Sequence, residues 1–520
     1  MKRTRVLAAA MAALSLGGSL AGCSSSAVTP TPTPSAPTGE QTAAVQPAQA
    51  PKYVFLFIGD GMSYPQIQST SDFLGALDDE DYWQAQPSLD DNQGAILDGP
   101  EYLNFMNFEA AGSAVTYDSN SFAPDSASTA TSIATGYKTY SGSINVDETG
   151  TISYETIAEK LRDQKDWEIG VITSVNLNHA TPAAFYAHQA SRSSYYEIGL
   201  ELVASDFDYF AGGGLLDPTG SEGDQEDLYA LAAEASYTVA RTHAEAEAVD
   251  ASTEKALLID EDLADSDAMA YELDRTDDMW SLADYVEKGI EVLDNDTGFF
   301  LMCEGGKIDW ACHANDAAST IHDPKALADA VQVAIDFAAE HPEETLILVT
   351  GDHETGGLTI GFAGTDYDTY LDLLESQKIS FAKYDSDYVA AYKENKTSFE
   401  EVLQDIEELF GLKVQGEEGD KLVLTEYELE QLRAAYEKSV NGTAASEYEQ
   451  EEYVLYGTYE PLSVTITHII NNKSGISFTS YSHTGLPVAV LAEGAGAETF
   501  NGYYDNTQIY HKMADLLDIA

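Results

Sequence analysis

Cysteine, basic residues and long apolar runs are all scarce in this 520-residue chain. Cys23, Cys303 and Cys312 are the only cysteines, so one intrachain disulfide is the most that can form. Cys303 and Cys312 either pair or sit as two small buried hydrophobes. The second reading is favoured, because spacing alone cannot establish bond geometry. Lysine and arginine total 25 against 89 acidic residues, a formal charge of −64. Nucleic acid is bound through a basic footprint, so this balance excludes a nucleic-acid partner. Any anionic substrate would need locally placed metal ions or arginine to be held. The remaining acidity reads as a solvated surface. The run Val6–Leu16 is too short to span a bilayer well, and no other segment comes close. Also missing are internal repeats, a Gly-x-Ser-x-Gly elbow and, within the acidic run 260–267, the spacing of a calcium loop; that run reads as a solvated helix end.

The amino terminus reads as a targeting signal. Lys2, Arg3 and Arg5 precede the apolar run, and Leu20-Ala-Gly-Cys23 resembles a bacterial lipobox. That resemblance implies cleavage before Cys23 and lipidation of its sulfur. The Ser-, Thr- and Pro-rich stretch that follows has too little apolar content to fold and reads as a flexible tether. The expected organisation is a signal peptide at 1–22, a disordered tether at 23–51 and a folded body at 52–520. The expected location is extracytoplasmic, as a membrane-anchored lipoprotein of the bacterial surface or periplasm.

Strand-like and helix-like segments alternate through the body. Strands are expected at 54–58, 114–117, 168–173, 207–210, 299–303, 346–349 and 487–491, and helices at 154–162, 281–293, 324–339 and 508–517. This rhythm predicts an α/β three-layer sandwich with a mostly parallel central sheet flanked by helices. Between about 366 and 474 the rhythm breaks. Ser398-Phe-Glu-Glu401 and Thr425-Glu-Tyr-Glu428 are capping boxes followed by apolar residues at helical spacing. A helical insertion is expected there, with the acidic run 447–452 as a solvated linker. Gly212-Gly-Gly214 reads as a tight turn.

Chemistry concentrates at strand ends. Asp60, Glu304, Asp352 and His179 each follow an expected strand, where α/β sheets bind their ligands. Glu304-Gly-Gly-Lys-Ile-Asp309-Trp-Ala-Cys-His313 packs three potential ligands into ten residues. Asp309 and His313, four apart, share one face of a helical turn. Carboxylate with imidazole suits zinc, whereas Glu304 alone suits a harder ion such as magnesium. In Pro124-Asp125-Ser126-Ala127, a serine stands at an expected helix start, where free N–H groups favour an anion. Serine is a weak nucleophile and needs a base or a metal; metal activation is the simpler account here.

The ordered set Ile58-Gly-Asp60-Gly-Met62, Pro124-Asp-Ser126-Ala127, Gly136-Tyr-Lys138-Thr139, Ala180-Thr-Pro-Ala-Ala184 with Ala187-His-Gln-Ala-Ser-Arg192, Glu304 to His313, Val349-Thr-Gly-Asp352-His353 and Ser482-His-Thr-Gly485 resembles the bacterial alkaline phosphatases. The resemblance runs from Val54 to Gly485 and implies hydrolysis of small phosphate monoesters with release of inorganic phosphate. It implies Ser126 as the nucleophile that becomes a phosphoserine, Arg192 as the clamp on phosphate oxygens and Asp125 as the residue orienting that arginine. It implies a first zinc on Asp309, His313 and His483, a second on Asp60, Asp352 and His353, and a magnesium on Asp60, Thr181 and Glu304. Two positions depart from one common pattern of the family. His179 stands where some members have aspartate, and Trp310 where some have lysine. His179 is then a hydrogen-bonded neighbour of the third site or a direct ligand. His188 matches no ligand. The family is often dimeric, so a homodimer belongs among the expectations. A phosphodiesterase or sulfatase of the same superfamily, and a non-catalytic metal- or phosphate-binding lipoprotein, are the alternatives.

Overall fold

The computed structural model describes residues 50–79, 82, 97–442 and 449–520. The expected signal peptide, Cys23 and nearly all of the tether lie outside them. In chain order the strands are β1 (Tyr53–Gly59), β2 (Ala110–Val115), β3 (Glu168–Asn176), β4 (Tyr209–Gly213), β5 (Thr238–Ala240), β6 (Ala256–Ile259), β7 (Phe299–Gly305), β8 (Thr345–Gly351), β9 (Glu354–Thr355), β10 (Thr359–Ile360), β11 (Ile476–Ser477), β12 (His483–Thr484), β13 (Val488–Gly494) and β14 (Gly502–Asp505). Ten of them form one sheet in the order β14-β2-β13-β8-β1-β7-β3-β4-β6-β5. Every neighbour is parallel except β13, which runs antiparallel to β8 and β2.

The central strands β1, β7 and β8 are buried along their whole length, as a parallel sheet covered on both faces requires. Alternation in β1 assigns its residues to two layers. Val54, Leu56 and Ile58 pack toward the helices Ser126–Thr135 and Thr507–Leu517. Tyr53, Phe55 and Phe57 pack toward Leu282–Leu293 and Ala317–Glu340. The result is the expected three-layer sandwich.

Several boundaries differ from the sequence reading. β2 begins four residues earlier than expected, because pairing with β13 and β14 extends a run of small residues that lacks strand propensity. Gly212 and Gly213 end β4 instead of forming a turn. At Gly212, with φ of +136°, a Cβ would lie 1.9 Å from the Thr173 carbonyl oxygen, so only glycine lets β4 reach β3 across its irregular register. The helix expected to start at Pro324 starts at Ala317, capped by Asp316, and keeps Pro324 inside. The acidic run expected as a linker enters the helix Glu449–Tyr456.

The chain departs from the sheet through β10 and returns through β11, which pair antiparallel as Thr359↔Ser477. Between them lie the helices Phe399–Phe410, Glu426–Ser439 and Pro461–Ser474, and both capping boxes form. Val402, Ile406, Leu432 and Ile466 share one apolar cluster with Phe73 and Ile321 of the main body.

The topology also gathers the site. β1, β3, β7 and β8 are parallel, so their carboxyl ends share one edge. β13 is antiparallel, so the segment entering it, which contains β12 and His483, arrives at that same edge.

Candidate active site

Asp60 directly follows β1, and Gly61 turns the chain with φ of +72°. A Cβ there would lie 2.9 Å from the Asp309 Cα. The bare backbone lets Gly61 N donate to Asp352 Oδ1 at 3.2 Å. Asp352 also accepts from its neighbour His353 N at 2.8 Å and from Thr129 Oγ1 at 3.1 Å. His353 Nε2 lies 3.3 Å from Asp60 Oδ1 and 3.4 Å from Asp352 Oδ2, all three residues being buried. These three residues present ligand-type atoms to one point, as Asp309, His313 and His483 do to another. The groups abut: the rings of His353 and His483 stack at 3.7 Å. Thr355, which sequence reasoning missed, ties them by donating to Asp309 Oδ1 at 2.5 Å while lying 3.2 Å from His353 Nδ1.

The donor set fits cations. His313 Nδ1 donates to the Tyr481 carbonyl and His483 Nδ1 to the Pro124 carbonyl, each at 2.6 Å. Both Nε2 atoms are thereby left facing one another, 3.0 Å apart and beside Asp309. Two lone pairs at that distance need a proton or a metal between them. Burial opposes a charge on His313, yet Asp309 and the Tyr481 carbonyl push it up to about 9. Burial, with Asp309 nearby, pushes Asp352 up to about 8. Burial also pushes Glu304 up to about 7, against the hydrogen bond from Thr173. Carboxylates crowded into so little space hold protons unless cations replace them.

Asp60 faces two ways. Its Oδ1 accepts from Ser126 Oγ at 3.4 Å and its Oδ2 from Thr181 Oγ1 at 3.3 Å. Near Thr181, Glu304 accepts from Thr173 through Oε2, while its buried Oε1 has no partner. Thr181, Asp60 and Glu304 therefore form an all-oxygen corner with an unused acceptor. His179 sits at the start of the short turn that carries Thr181, with its Nδ1 buried and unpartnered. Burial, then the charge of Arg192, push His179 down to about 3 and keep it neutral.

Ser126 is the first residue of its helix, whose cap is Asp125 and not the serine itself: Asp125 accepts from Ser128 N at 3.1 Å. Ser126 Oγ is also 3.1 Å from His353 Nε2. Arg192 donates to the other oxygen of Asp125 at 2.9 Å and lies 3.4 Å from His179 Nε2. Although burial favours protonation, Arg192 and the Gly142 N–H hold Asp125 below the usual carboxylate range.

Ser126, His179, Arg192, Asp309, Trp310, His313 and His483 line one cavity of about 390 Å³, with Asp60, Asp125, Asp352 and His353 in contact with them, whereas His188 lies apart. His188 is held between Glu159 and Glu201, at 3.4 and 3.5 Å. Burial disfavours its charge, but the two carboxylates push it up to about 10. Cys303 and Cys312 are free and buried, as two hydrophobes. Part of the 260–267 run departs from the solvated helix end expected. Asp260 is buried and accepts from the Tyr285 hydroxyl at 2.9 Å, and Asp265 pairs with the fully buried Lys307 at 2.6 Å. Trp310, between Asp309 and His313 on one helix, lies with its ring 4.6 Å from Lys307 Nζ. Sequence reasoning missed Lys307, Asp265, Tyr271, Phe381 and Tyr459. Only Lys307 carried a local signal, as a cation inside the Glu304–His313 motif.

An α/β sandwich with two three-residue metal-type groups, a helix-terminal serine and an arginine at one sheet edge defines the class of metal-dependent hydrolases. The chain belongs to the alkaline phosphatase family, whose family model matches residues 51–519. It is similar to alkaline phosphatase 3 of Bacillus subtilis (strain 168), 30% identical over 476 residues that span 88% of this chain and 87% of that one. Alkaline phosphatase 4 of the same strain is 29% identical over 471 residues, 87% of this chain and 86% of that one. Among solved structures, a cold-active alkaline phosphatase from a psychrophilic Shewanella superposes with a TM-score of 0.68 at 28% identity, covering 89% of this chain and 99% of that one. The enzyme of the Antarctic bacterium TAB5 gives 0.59 at 25% identity, covering 91% and 99%. Variants of that enzyme with a histidine replaced by glutamate or aspartate carry magnesium in a site called M3. The protein is thus an enzyme, an alkaline phosphatase.

Proposed function

We propose that the enzyme hydrolyses phosphate monoesters through a phosphoserine at Ser126. The observation that carries this reading is Ser126 Oγ itself. It stands at a helix N-terminus, 3.4 Å from Asp60 and 3.1 Å from His353, two members of one metal-type group. Asp309, His313 and His483 would hold one zinc, and Asp60, Asp352 and His353 the other. The all-oxygen corner of Asp60, Thr181 and Glu304 suits magnesium. Bound there, such ions supply the positive charge that acidifies a hydroxyl or a water and neutralises phosphate.

Ser126 attacks phosphorus in line and expels the alcohol, leaving phosphoserine. Water then attacks the same phosphorus from the side the alcohol left, releasing inorganic phosphate and restoring the serine. Two inversions give retention at phosphorus. Arg192 grips two non-bridging oxygens with its planar fork. Asp125 anchors that fork from behind, and His179 accepts from its other nitrogen. A monoester keeps a third non-bridging oxygen for the cations beyond the two held by Arg192, whereas a diester has only two in all, which favours monoesters. No arginine-containing motif surrounds Ser126 of the kind a sulfatase would need.

The test is hydrolysis of a chromogenic monoester, diester and sulfate by the zinc- and magnesium-loaded protein. Monoester turnover should dominate, and Ser126→Ala should lower it by about a thousandfold or more. Full activity in that variant, or no monoesterase activity in the parent, overturns the reading.

We further propose export and anchoring through a lipid on Cys23. Among the described residues no helix is long and apolar enough to cross a membrane. A Cys23→Ser protein should move from the membrane fraction to the soluble fraction; unchanged partitioning refutes the anchor. A homodimer, implied by the family resemblance, is to be read by sedimentation of the soluble body.

A further inference from the structure

The cavity that holds Ser126 and Arg192 continues onto a wall of rings: Trp310, Tyr271, Phe381 and Tyr459. Trp310 stands next to Asp309 on the helix Lys307–His313. Tyr271 meets Phe381 edge to face at 5.8 Å, and Phe381 meets Tyr459 in the same way at 5.6 Å. Phe381 and Tyr459 come from the helical excursion between β10 and β11, so this excursion reaches the catalytic edge. Its position there is fixed. Phe381 N donates to the buried Asp316 at 2.9 Å, and Ser380 N donates to Asp274 at 2.9 Å. Behind the wall, Lys307 Nζ lies 4.1 Å from the Tyr271 ring and 4.6 Å from the Trp310 ring, with its charge matched by Asp265. Tyr271 and Phe381 are buried, whereas Trp310 and Tyr459 are partly open to the cavity. The buried hydroxyl of Tyr271 has no hydrogen-bond partner.

Resting on the phosphatase reading above, we infer that this wall is a leaving-group subsite for uncharged planar aromatic groups. Once phosphate sits between Ser126 and Arg192, the ester's remaining group extends over this surface. Ring faces and edges reward another flat ring through offset or edge-to-face contact. They offer a flexible polyol nothing comparable. Beyond Arg192 the charged groups lining the cavity are already paired, Asp265 with Lys307 and Asp309 with His313, so a second anionic group on the substrate gains no free partner. The chemistry is shared by simple aryl phosphates and by nucleoside monophosphates, whose base would supply the ring at greater reach.

The deciding comparison uses the metal-loaded enzyme, Tyr459→Ala and Tyr459→Phe, with phenyl phosphate, adenosine monophosphate and glycerol phosphate. Tyr459 is partly exposed, so its truncation leaves the buried core intact. Tyr459→Ala should lower kcat/KM for the aromatic esters about three- to tenfold and leave glycerol phosphate and inhibition by inorganic phosphate unchanged. Tyr459→Phe should retain parental ratios. Loss confined to adenosine monophosphate assigns the wall to a nucleoside base; loss on both assigns it to any aryl group. Competitive inhibition by adenosine or phenol should weaken in parallel. An equal effect on all three esters, or none, overturns the subsite while leaving the phosphatase reading intact. Failure of the parent to hydrolyse even glycerol phosphate would sink both.

Discussion

His179 shows how one side chain can serve two neighbours. It is neutral and largely buried, it touches Arg192 through Nε2, and its Nδ1, at the start of the turn that carries Thr181, is left without a partner. An aspartate there would add a hard oxygen to a corner that is already all oxygen, and would pull Arg192 by charge instead of accepting a neutral hydrogen bond. His179→Asp is therefore expected to raise magnesium content toward one ion per chain and to make turnover more dependent on added magnesium. Metal analysis after dialysis, with and without magnesium, reads this directly; an unchanged ratio of zinc to magnesium contradicts it. Ser126 and Asp309 were legible at this scale because their neighbours in sequence set their geometry. Thr355 and Tyr271 were not, because their partners lie tens to hundreds of residues away.

At the scale of elements, the helix Ser126–Thr135 carries two functions on its first turn. Asp125 caps it through one oxygen and holds Arg192 through the other. Removing that side chain thus combines a cap loss with a freed guanidinium. Asp125→Ala should cost about 1 kcal/mol of stability and weaken phosphate binding, seen as a higher KM and a higher inhibition constant for inorganic phosphate. Asp125→Asn keeps the cap and should recover most of the stability, but not the grip on Arg192. Equal phosphate affinity in all three proteins would show that the arginine needs no anchor. The elements themselves were readable where the code is local: β1, β7 and β8 are apolar runs, and Ser398 and Thr425 begin helices with capping boxes. β2 and β4 were misjudged, since small residues and glycines become strand only when neighbouring strands demand it.

For the whole molecule, the decisive fact is that Asp60, Glu304, Asp309 and Asp352 are drawn out of water at one sheet edge within a chain of charge −64. Without cations, Asp352 is pushed up to about 8 and Glu304 up to about 7. A carboxyl raised in the folded state favours folding below its unfolded pKa, near 4, and that contribution is lost as pH rises through 7 to 8. The chelated protein should therefore lose stability as pH rises from about 5 to 8, whereas the metal-loaded protein should not. Melting curves with and without chelator across that range check it. A gap between the two that does not widen with pH means the buried carboxylates are not the source.

The sequence by itself determined the alternating elements, the candidate metal-type and nucleophile-type residues, and the acidic balance. These are local or compositional properties, carried by residue type and short spacing. Only the tertiary structure decided which ligand faces which. The antiparallel entry of β13 brings His483 to His313, the bare Gly61 turn brings Asp60 beside Asp352, and the return of the chain through β11 sets Phe381 and Tyr459 against Trp310. Each of those contacts joins segments far apart in the chain, and their meeting follows from strand order and layer packing, which no single window of sequence encodes.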